Sequence, residues 1–310
     1  MKAIIDLGTN TFHLLIAEVK NGVIREYFKL QVPVKIGQGG IIKGIITPEA
    51  KQRAHTALAE FRKYLDRFEV KEIKALATSA IRGATNGDEF LTEAKELHGI
   101  IIEKISGDTE AECIYEGVSH SFDLPTENIL VMDIGGGSVE LIIGQKETIL
   151  WKQSFDLGAA RMIEHFSIHD PILQEEIELL ESYFSDQLFP LTEALQKFPV
   201  SILVGSAGSF ETLVDVVLKD LEVIPNSLSK HAYEIRRQDF DVFHELMITS
   251  SAEQRSKLKG MADFRIEMIV VASILIKLVT EKYQLKKIIA SDYSLKEGMM
   301  FRMSGGGISR

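Results

Sequence analysis

Two carboxylates, Asp6 and Asp133, each stand two residues before a glycine in a turn of small residues, a pattern suited to phosphate and metal chemistry. The first turn is Gly8-Thr9-Asn10, and the second is Gly135-Gly136-Gly137-Ser138. Glycine lets the backbone approach a ligand closely, and successive N–H groups in such a turn form a concave anion site. Each Asp follows an apolar run (Ile4-Ile5 or Val131-Met132), and each turn leads into a second one (Leu14-Leu15-Ile16 or Leu141-Ile142-Ile143). That is the pattern of a strand, a tight turn and an antiparallel return strand. Asp6 maps onto Asp133 at an offset of 127 (133 − 6), and Gly8/Gly135, Leu14/Leu141 and Ile16/Ile143 share it. Two such turns, each beside an Asp, suggest two lobes gripping a phosphate–metal group between them.

The repeat extends further, since Ser79-Ala80 and Ser206-Ala207 keep the same offset, each after an apolar stretch. The chain therefore reads as two homologous halves, 1–124 and 125–303, with the boundary at Pro125-Thr126-Glu127-Asn128. In the first half, strands to Ile36 and a glycine-rich turn at Gly37–Gly44 precede a helix from Thr47 to about Phe68. Thr47 is its N-cap and Pro48 its first helical residue. A strand at Ile73–Ala77, a helix near Gly87–Leu97, a strand at Ile100–Ile105 and a helix from Thr109 follow. The second half repeats the plan: strands to Phe155, a helix from Pro171, a strand at Ile202–Val204 and a helix from Ser209. A helical insertion is predicted over about 214–283, then a strand at Ile288–Ala290 and a last helix. Ser304–Arg310 is expected to be a disordered tail. Alternating strands and helices predict an α/β sheet in each half, with the site where strand ends face each other across the lobe interface.

At 310 residues each half can bury its own core. The single cysteine, Cys113, excludes an intramolecular disulfide framework and a cysteine zinc cluster, and reads as a small buried residue on a helix. The start carries too short an apolar run for a signal peptide, and the most apolar segment, Ile266–Val279, reads as a buried helix. A soluble cytoplasmic protein with no membrane partner is the expectation. The net charge of −10 argues against an extended nucleic-acid face and leaves room for a compact phosphate ligand carrying a divalent cation.

Further candidates surround the two turns. Asp133 and Glu140 lie seven residues apart across the second hairpin, near one end of it, and such hard oxygens suit Mg²⁺ with several retained waters. Asp6, the counterpart of Asp133, is a candidate for holding a metal-bound water. Thr9, Asn10 and Ser138 can add side-chain contacts to phosphate. Arg82 offers a planar fork for phosphate oxygens. Arg265 and Lys296 are weaker candidates, as apt to be solvated helix residues. His13 reads as a satisfied core or interface histidine. Glu110, after Ser106-Gly107-Asp108, fits equally an acid favoured by the helix dipole and a working group.

Together these segments closely resemble the Ppx/GppA family of exopolyphosphatases and guanosine pentaphosphate phosphohydrolases, within the actin-like ATPase superfamily. The resemblance rests on Ile5–Leu15, Ala77–Arg82 with Asn86, Ile105–Ala111 with Ile114-Tyr115, Asp133–Leu141, Arg265 and Lys296-Glu297-Gly298. It implies two actin-like (ribonuclease H-like) lobes with a cleft between them, in the short two-domain form. It implies removal of a terminal phosphate from inorganic polyphosphate or guanosine pentaphosphate, with Mg²⁺, and a base at Glu110. Departures from the family pattern are Thr109 for the usual Glu, Glu112 for the usual Arg, Lys296 for Arg, and Ser206-Ala207 in the turn that usually reads Gly-Gly-Thr. The rivals are an ATP-dependent kinase of the same superfamily and a non-catalytic sensor of alarmone or polyphosphate. The oligomeric state is open, a homodimer among the options.

Overall fold

A computed structural model describes residues 1–305. The first half runs β1 (Lys2–Leu7), β2 (Thr11–Lys20), β3 (Val23–Pro33), α1 (Pro48–Arg67), β4 (Glu72–Ala77), α2 (Ser79–Arg82), α3 (Gly87–His98), β5 (Ile102–Lys104) and α4 (Gly107–Ser119). The second half begins with β6 (Ile129–Ile134), β7 (Val139–Gln145), β8 (Thr148–Phe155), α5 (Ala159–Phe166), α6 (Gln174–Gln187), α7 (Phe189–Lys197), β9 (Ile202–Ser206) and α8 (Ala207–Lys219). It ends with β10 (Asn226–Ser229), β11 (Ala232–Ile235), α9 (Arg237–Thr249), α10 (Ala252–Arg255), α11 (Met268–Lys282), β12 (Lys287–Ser291) and α12 (Leu295–Met303).

The sheets repeat one plan. The first has the order β3-β2-β1-β4-β5, and the second reads β8-β7-β6-β9-β12 before its extra hairpin, β11-β10. In each, an antiparallel meander joins a parallel run through β1 or β6. The offset of 127 carries β1 onto β6 end for end. Thr47 caps α1 as predicted, its Oγ1 accepting from the Ala50 N–H at 3.3 Å. The apolar segment at 266–279 is the buried helix α11.

Three expectations need correction. The stretch 214–283 is not wholly helical, because β10 and β11 form a hairpin that extends the second sheet. The outer strand, Asn226-Ser227-Leu228-Ser229, is polar because it forms the sheet edge, and the inner one, Ala232-Tyr233-Glu234-Ile235, is too short to show alternation although Ala232 and Ile235 are buried. The helix α5, before Pro171, was not expected at all. The helix expected from Pro171 starts instead at Gln174. Of the predicted tail, Ser304 and Gly305 continue from α12 in a turn, and 306–310 lie outside the described residues.

Strand alternation explains where the acids point. Ala3, Ile5 and Leu7 pack into a core with α1 and α3, whereas Ile4 faces the opposite way, into a core shared by both sheets. Leu130 and Met132 likewise serve the second lobe's own core, whereas Ile129 and Val131 enter the shared one. Because side chains alternate with period two, Asp6 continues the row of Ile4, and Asp133 the row of Val131. Each aspartate thus ends a row that begins in the shared core. That core is filled by α4 and α12, which exchange places. α4, from the first half, lies on β7 and β8, and α12, from the second, lies on β1 and β2.

Candidate active site

The two glycine turns have the same closure. Gly8 N–H donates to Thr11 O at 3.1 Å, and Gly135 N–H to Ser138 O at 3.0 Å. Their carbonyls are held from behind by comparable segments. Lys35 and Gly37 donate N–H groups to Asn10 O (2.7 Å) and Thr9 O (3.2 Å). Ala159 and Arg161, in the first turn of α5, donate to Gly135 O and Gly136 O at 3.0 Å, and Gly158 N–H reaches Gly137 O at 3.4 Å. A peptide plane aims its C=O and N–H in opposite directions. Fixing these carbonyls backwards therefore turns the N–H groups of Asn10, Thr11 and 136–138 towards the cleft. Among the described residues, the N–H groups of 136–138 have no backbone acceptor.

The turns meet edge to edge. A Cβ on Gly137 would lie 2.4 Å from Thr9 Oγ1 and 2.6 Å from Ser79 Oγ, so a glycine is needed there by close approach alone. Across the same seam Asn10 Nδ2 donates to Phe264 O at 3.2 Å. Glu164 of α5 accepts from Gly39 N–H (2.9 Å) and Ile42 N–H (3.4 Å). Arg161 Nε donates to Gly137 O at 2.9 Å. The cavity between the turns is about 90 Å³, far below the several hundred Å³ of a typical ligand site. This is a closed arrangement of the lobes.

Asp6, Glu110, Asp133 and Glu140 all line that cavity, together with Gly8, Thr9, Asn10 and Gly135–Ser138. Strand register places Asp6 opposite His13 and Asp133 opposite Glu140. Burial with mutual repulsion pushes their pKa values up. Asp6 is raised to about 8, chiefly by burial and then by Glu110. Asp133 is raised to about 6 by burial, against the hydrogen bond from Ser206 Oγ (2.7 Å). Glu110 is raised to about 7 by burial, opposed by Arg82. Glu140 stands well above the usual carboxylate range, from burial and then Glu110 and Asp133, although Ser154 Oγ donates to it at 2.6 Å.

Glu110 sits in the first turn of α4, capped by Ser106 Oγ, which accepts from Thr109 N–H at 3.1 Å. Its Oε2 accepts from Arg82 Nη1 at 2.8 Å, and Arg82 also donates to Ile105 O at 3.0 Å. Arg82 is outside the cavity lining in this arrangement of the lobes, and its Nη1 holds Glu110. Arg265 and Lys296 do line it, and both are buried. Lys296 pairs with Glu297 at 3.3 Å, and although burial alone would lower its pKa, Glu297, Glu211 and Asp6 raise it. His13 is not a satisfied core histidine. It lines the cavity with Nδ1 buried and, among the described residues, without a hydrogen-bond partner. Burial, then Lys296 and Arg265, holds its pKa well below the usual value. His13 is the counterpart of Glu140 in the repeat (140 − 13 = 127), a signal obscured by the change of residue type. Glu112 faces Lys152 and Arg302 outside the cavity lining, so its charge is compensated there.

Ala207 opens α8 in the cavity wall with φ of +63°, a left-handed conformation that costs a residue with a Cβ about 1–2 kcal/mol. Ala207→Gly is expected to raise unfolding free energy by about 1 kcal/mol, after allowing for the greater freedom of glycine in the unfolded chain. Chemical denaturation would measure it; a loss of stability would mean that the methyl packs usefully.

A divalent cation is implied by this chemistry, and the residues suit one. Asp6 Oδ1 is buried without a hydrogen-bond partner, and a cation would relieve the repulsion among the four acids. Among the described residues no three His, Cys, Asp or Glu side chains converge as a ligand set. A cation held here by fewer protein ligands would complete its coordination with water and phosphate oxygens.

Two lobes of one duplicated α/β design thus close glycine turns and acids around a small polar cleft. The model of the Ppx/GppA phosphatase family matches residues 15–305, and the chain belongs to that family. An exopolyphosphatase from Cytophaga hutchinsonii, solved as a crystal structure, is 37% identical over 100% of this chain and 99% of its own, with a TM-score of 0.93. The Aquifex aeolicus Ppx/GppA protein is 26% identical over 99% of both chains, with a TM-score of 0.81. A Haemophilus influenzae protein named "Putative exopolyphosphatase" is 28% identical over 97% of this chain and 90% of its own. Among the described residues, no helix is long and apolar enough to cross a membrane.

Proposed function

We propose that this protein is a phosphoanhydride hydrolase that removes the terminal phosphate of inorganic polyphosphate or guanosine pentaphosphate. The observation that carries the reading is the pair of N–H-bearing turns facing each other across Asp6, Asp133, Glu140 and Glu110, with Glu110 gripped by Arg82. Family membership and the named relatives support the polyphosphate half of it.

The reaction needs charge neutralisation on the transferred group, an in-line water and a group that orients it. The N–H groups of Asn10, Thr11 and 136–138, with the side chains of Thr9, Asn10 and Ser138, bind the terminal phosphate oxygens in the turns that Gly8 and Gly135 close. Arg265 and Lys296 take the charge of the next phosphates. Asp133 and Glu140, with Asp6 through a water, would hold Mg²⁺, which would supply charge neutralisation to the phosphate oxygens. Glu110 orients the attacking water and accepts its proton, with a pKa near neutrality suited to that task. Arg82 keeps the carboxylate aimed.

Phosphate release should be measured with Mg²⁺ from tripolyphosphate, long-chain polyphosphate, guanosine pentaphosphate and ATP. Turnover on at least one of the first three, without an acceptor, is expected. Tight binding of one of them without any turnover would overturn the reading in favour of a sensor.

A further inference from the structure

The supports behind the two phosphate turns are joined to each other by one side chain, that of Glu164. Behind the first turn lies the segment 35–42, whose Lys35 and Gly37 N–H groups hold the carbonyls of Asn10 and Thr9. Behind the second lies the N-terminus of α5, whose N–H groups hold the carbonyls of Gly135 and Gly136. Glu164, one turn further along α5, accepts hydrogen bonds from Gly39 N–H at 2.9 Å and Ile42 N–H at 3.4 Å in the first segment. It does so from outside the central cavity, in the wall of an adjoining hollow of about 260 Å³ that it shares with Thr9 and Asn10.

We propose that Glu164 is a positioning residue that sets the spacing between the two arrays of N–H donors. It links the rear supports only when the lobes are closed, so it makes closure and assembly of the phosphate site one event. This rests on the hydrolase reading for its effect on rate, but not for its effect on closure. The carboxylate has two acceptor oxygens aimed at two backbone donors from different turns of one loop, a bidentate grip that other side chains of this length do not reproduce. It touches no substrate position, so its removal acts through the loops. A displacement of about 1 Å in such a site is enough to cost on the order of 10²-fold in rate.

The test compares Glu164→Ala and Glu164→Gln with the unchanged protein. Glu164→Ala should raise KM for tripolyphosphate and lower kcat/KM by about 10- to 10²-fold, with little change in the unfolding midpoint, since the carboxylate is only half-buried at the lobe seam. Glu164→Gln, which keeps one amide oxygen for Gly39, should recover a large part of the loss. Closure is read separately from turnover, by small-angle scattering with and without a non-hydrolysable imido-linked triphosphate, and by amide exchange at Gly39 and Ile42. The expected result is that the analogue compacts the unchanged protein and compacts Glu164→Ala less, with faster exchange at both amides. Equal compaction and unchanged exchange in Glu164→Ala would overturn the proposal, as would a rate loss accompanied by an equivalent loss of stability. If the unchanged protein closes on the analogue but hydrolyses nothing, the hydrolase reading fails and the role of Glu164 in closure stands.

Discussion

Replacing Glu110 with glutamine should lower phosphate release by about 10²-fold or more while leaving the fold intact, because general-base catalysis contributes about 10²- to 10⁴-fold. Glutamine is nearly isosteric, and its amide oxygen can still accept from Arg82 Nη1, so the hydrogen bond at 2.8 Å and the first turn of α4 are retained. What it loses is the ability to take a proton from water. The environment makes that loss decisive. Glu110 is buried beside Asp133, and its pKa of about 7 is a balance between burial, which raises it, and the Arg82 guanidinium, which lowers it. A carboxylate so placed can be ionised near neutral pH and still hold a proton once it receives one. Steady-state release from the best substrate, with thermal unfolding of both proteins, is the measurement. Turnover near that of the unchanged protein would remove Glu110 from the chemistry and leave it as an anchor for Arg82.

Much of this site was legible in the sequence because its constraints are local. A turn that meets a second turn edge to edge leaves no room for a Cβ at Gly137, and the small residues of the two turns, beginning at Gly8 and Gly135, leave a compositional mark twice, at one offset. The α1 cap and the apolar α11 were equally readable, since Thr47-Pro48 and an apolar run broken only by Glu267, Ser273 and Lys277 specify their structures without help from the rest of the chain. The parts that escaped depend on distant partners. Arg82 and Glu110 are 28 residues apart (110 − 82), so nothing in either segment shows that the arginine serves the acid. The helix α5 is short and starts at Gly158, which brings no side-chain cap, so it left no boundary signal. Yet it holds the carbonyls of the second turn and bears Arg161 and Glu164. The hairpin β10–β11 lacks alternation because β10 is a polar edge and β11 has only four residues, of which Ala232 and Ile235 reach the core. His13 keeps the repeat's offset to Glu140, but the change of residue type hid the match, and strand register was needed to show that each lies opposite an aspartate.

The exchange of α4 and α12 between the lobes was least legible of all, and it leads to the second large effect: Gly298→Ala should destabilise the protein by about 3 kcal/mol, at the upper end of what overpacking a core costs. A Cβ on Gly298 of α12 would lie 1.8 Å from the Cys113 carbonyl oxygen of α4. The reciprocal contact is as tight, with a Cβ on Gly117 placed 2.2 Å from Ser294 O. Both obstructing atoms are backbone, so no rotamer change can relieve the clash, and α12 must lift as a body. Lifting it separates Arg302 Nε from Glu116 Oε2, now 2.5 Å apart, and Glu116 is fully buried. A buried charge that loses its partner adds to the penalty. The displaced helix also carries Lys296, while α4 carries Glu110, so activity should fall together with stability. Denaturant unfolding gives the first number, and Cys113 gives a second readout. Its thiol is fully buried at this crossing, with a pKa pushed up to about 12 by that burial, so it should resist alkylation in the unchanged protein and react in Gly298→Ala. An unchanged unfolding midpoint with an unreactive thiol would mean that the crossing has slack, and that α4 and α12 are held in place by the sheets they lie on instead of by each other.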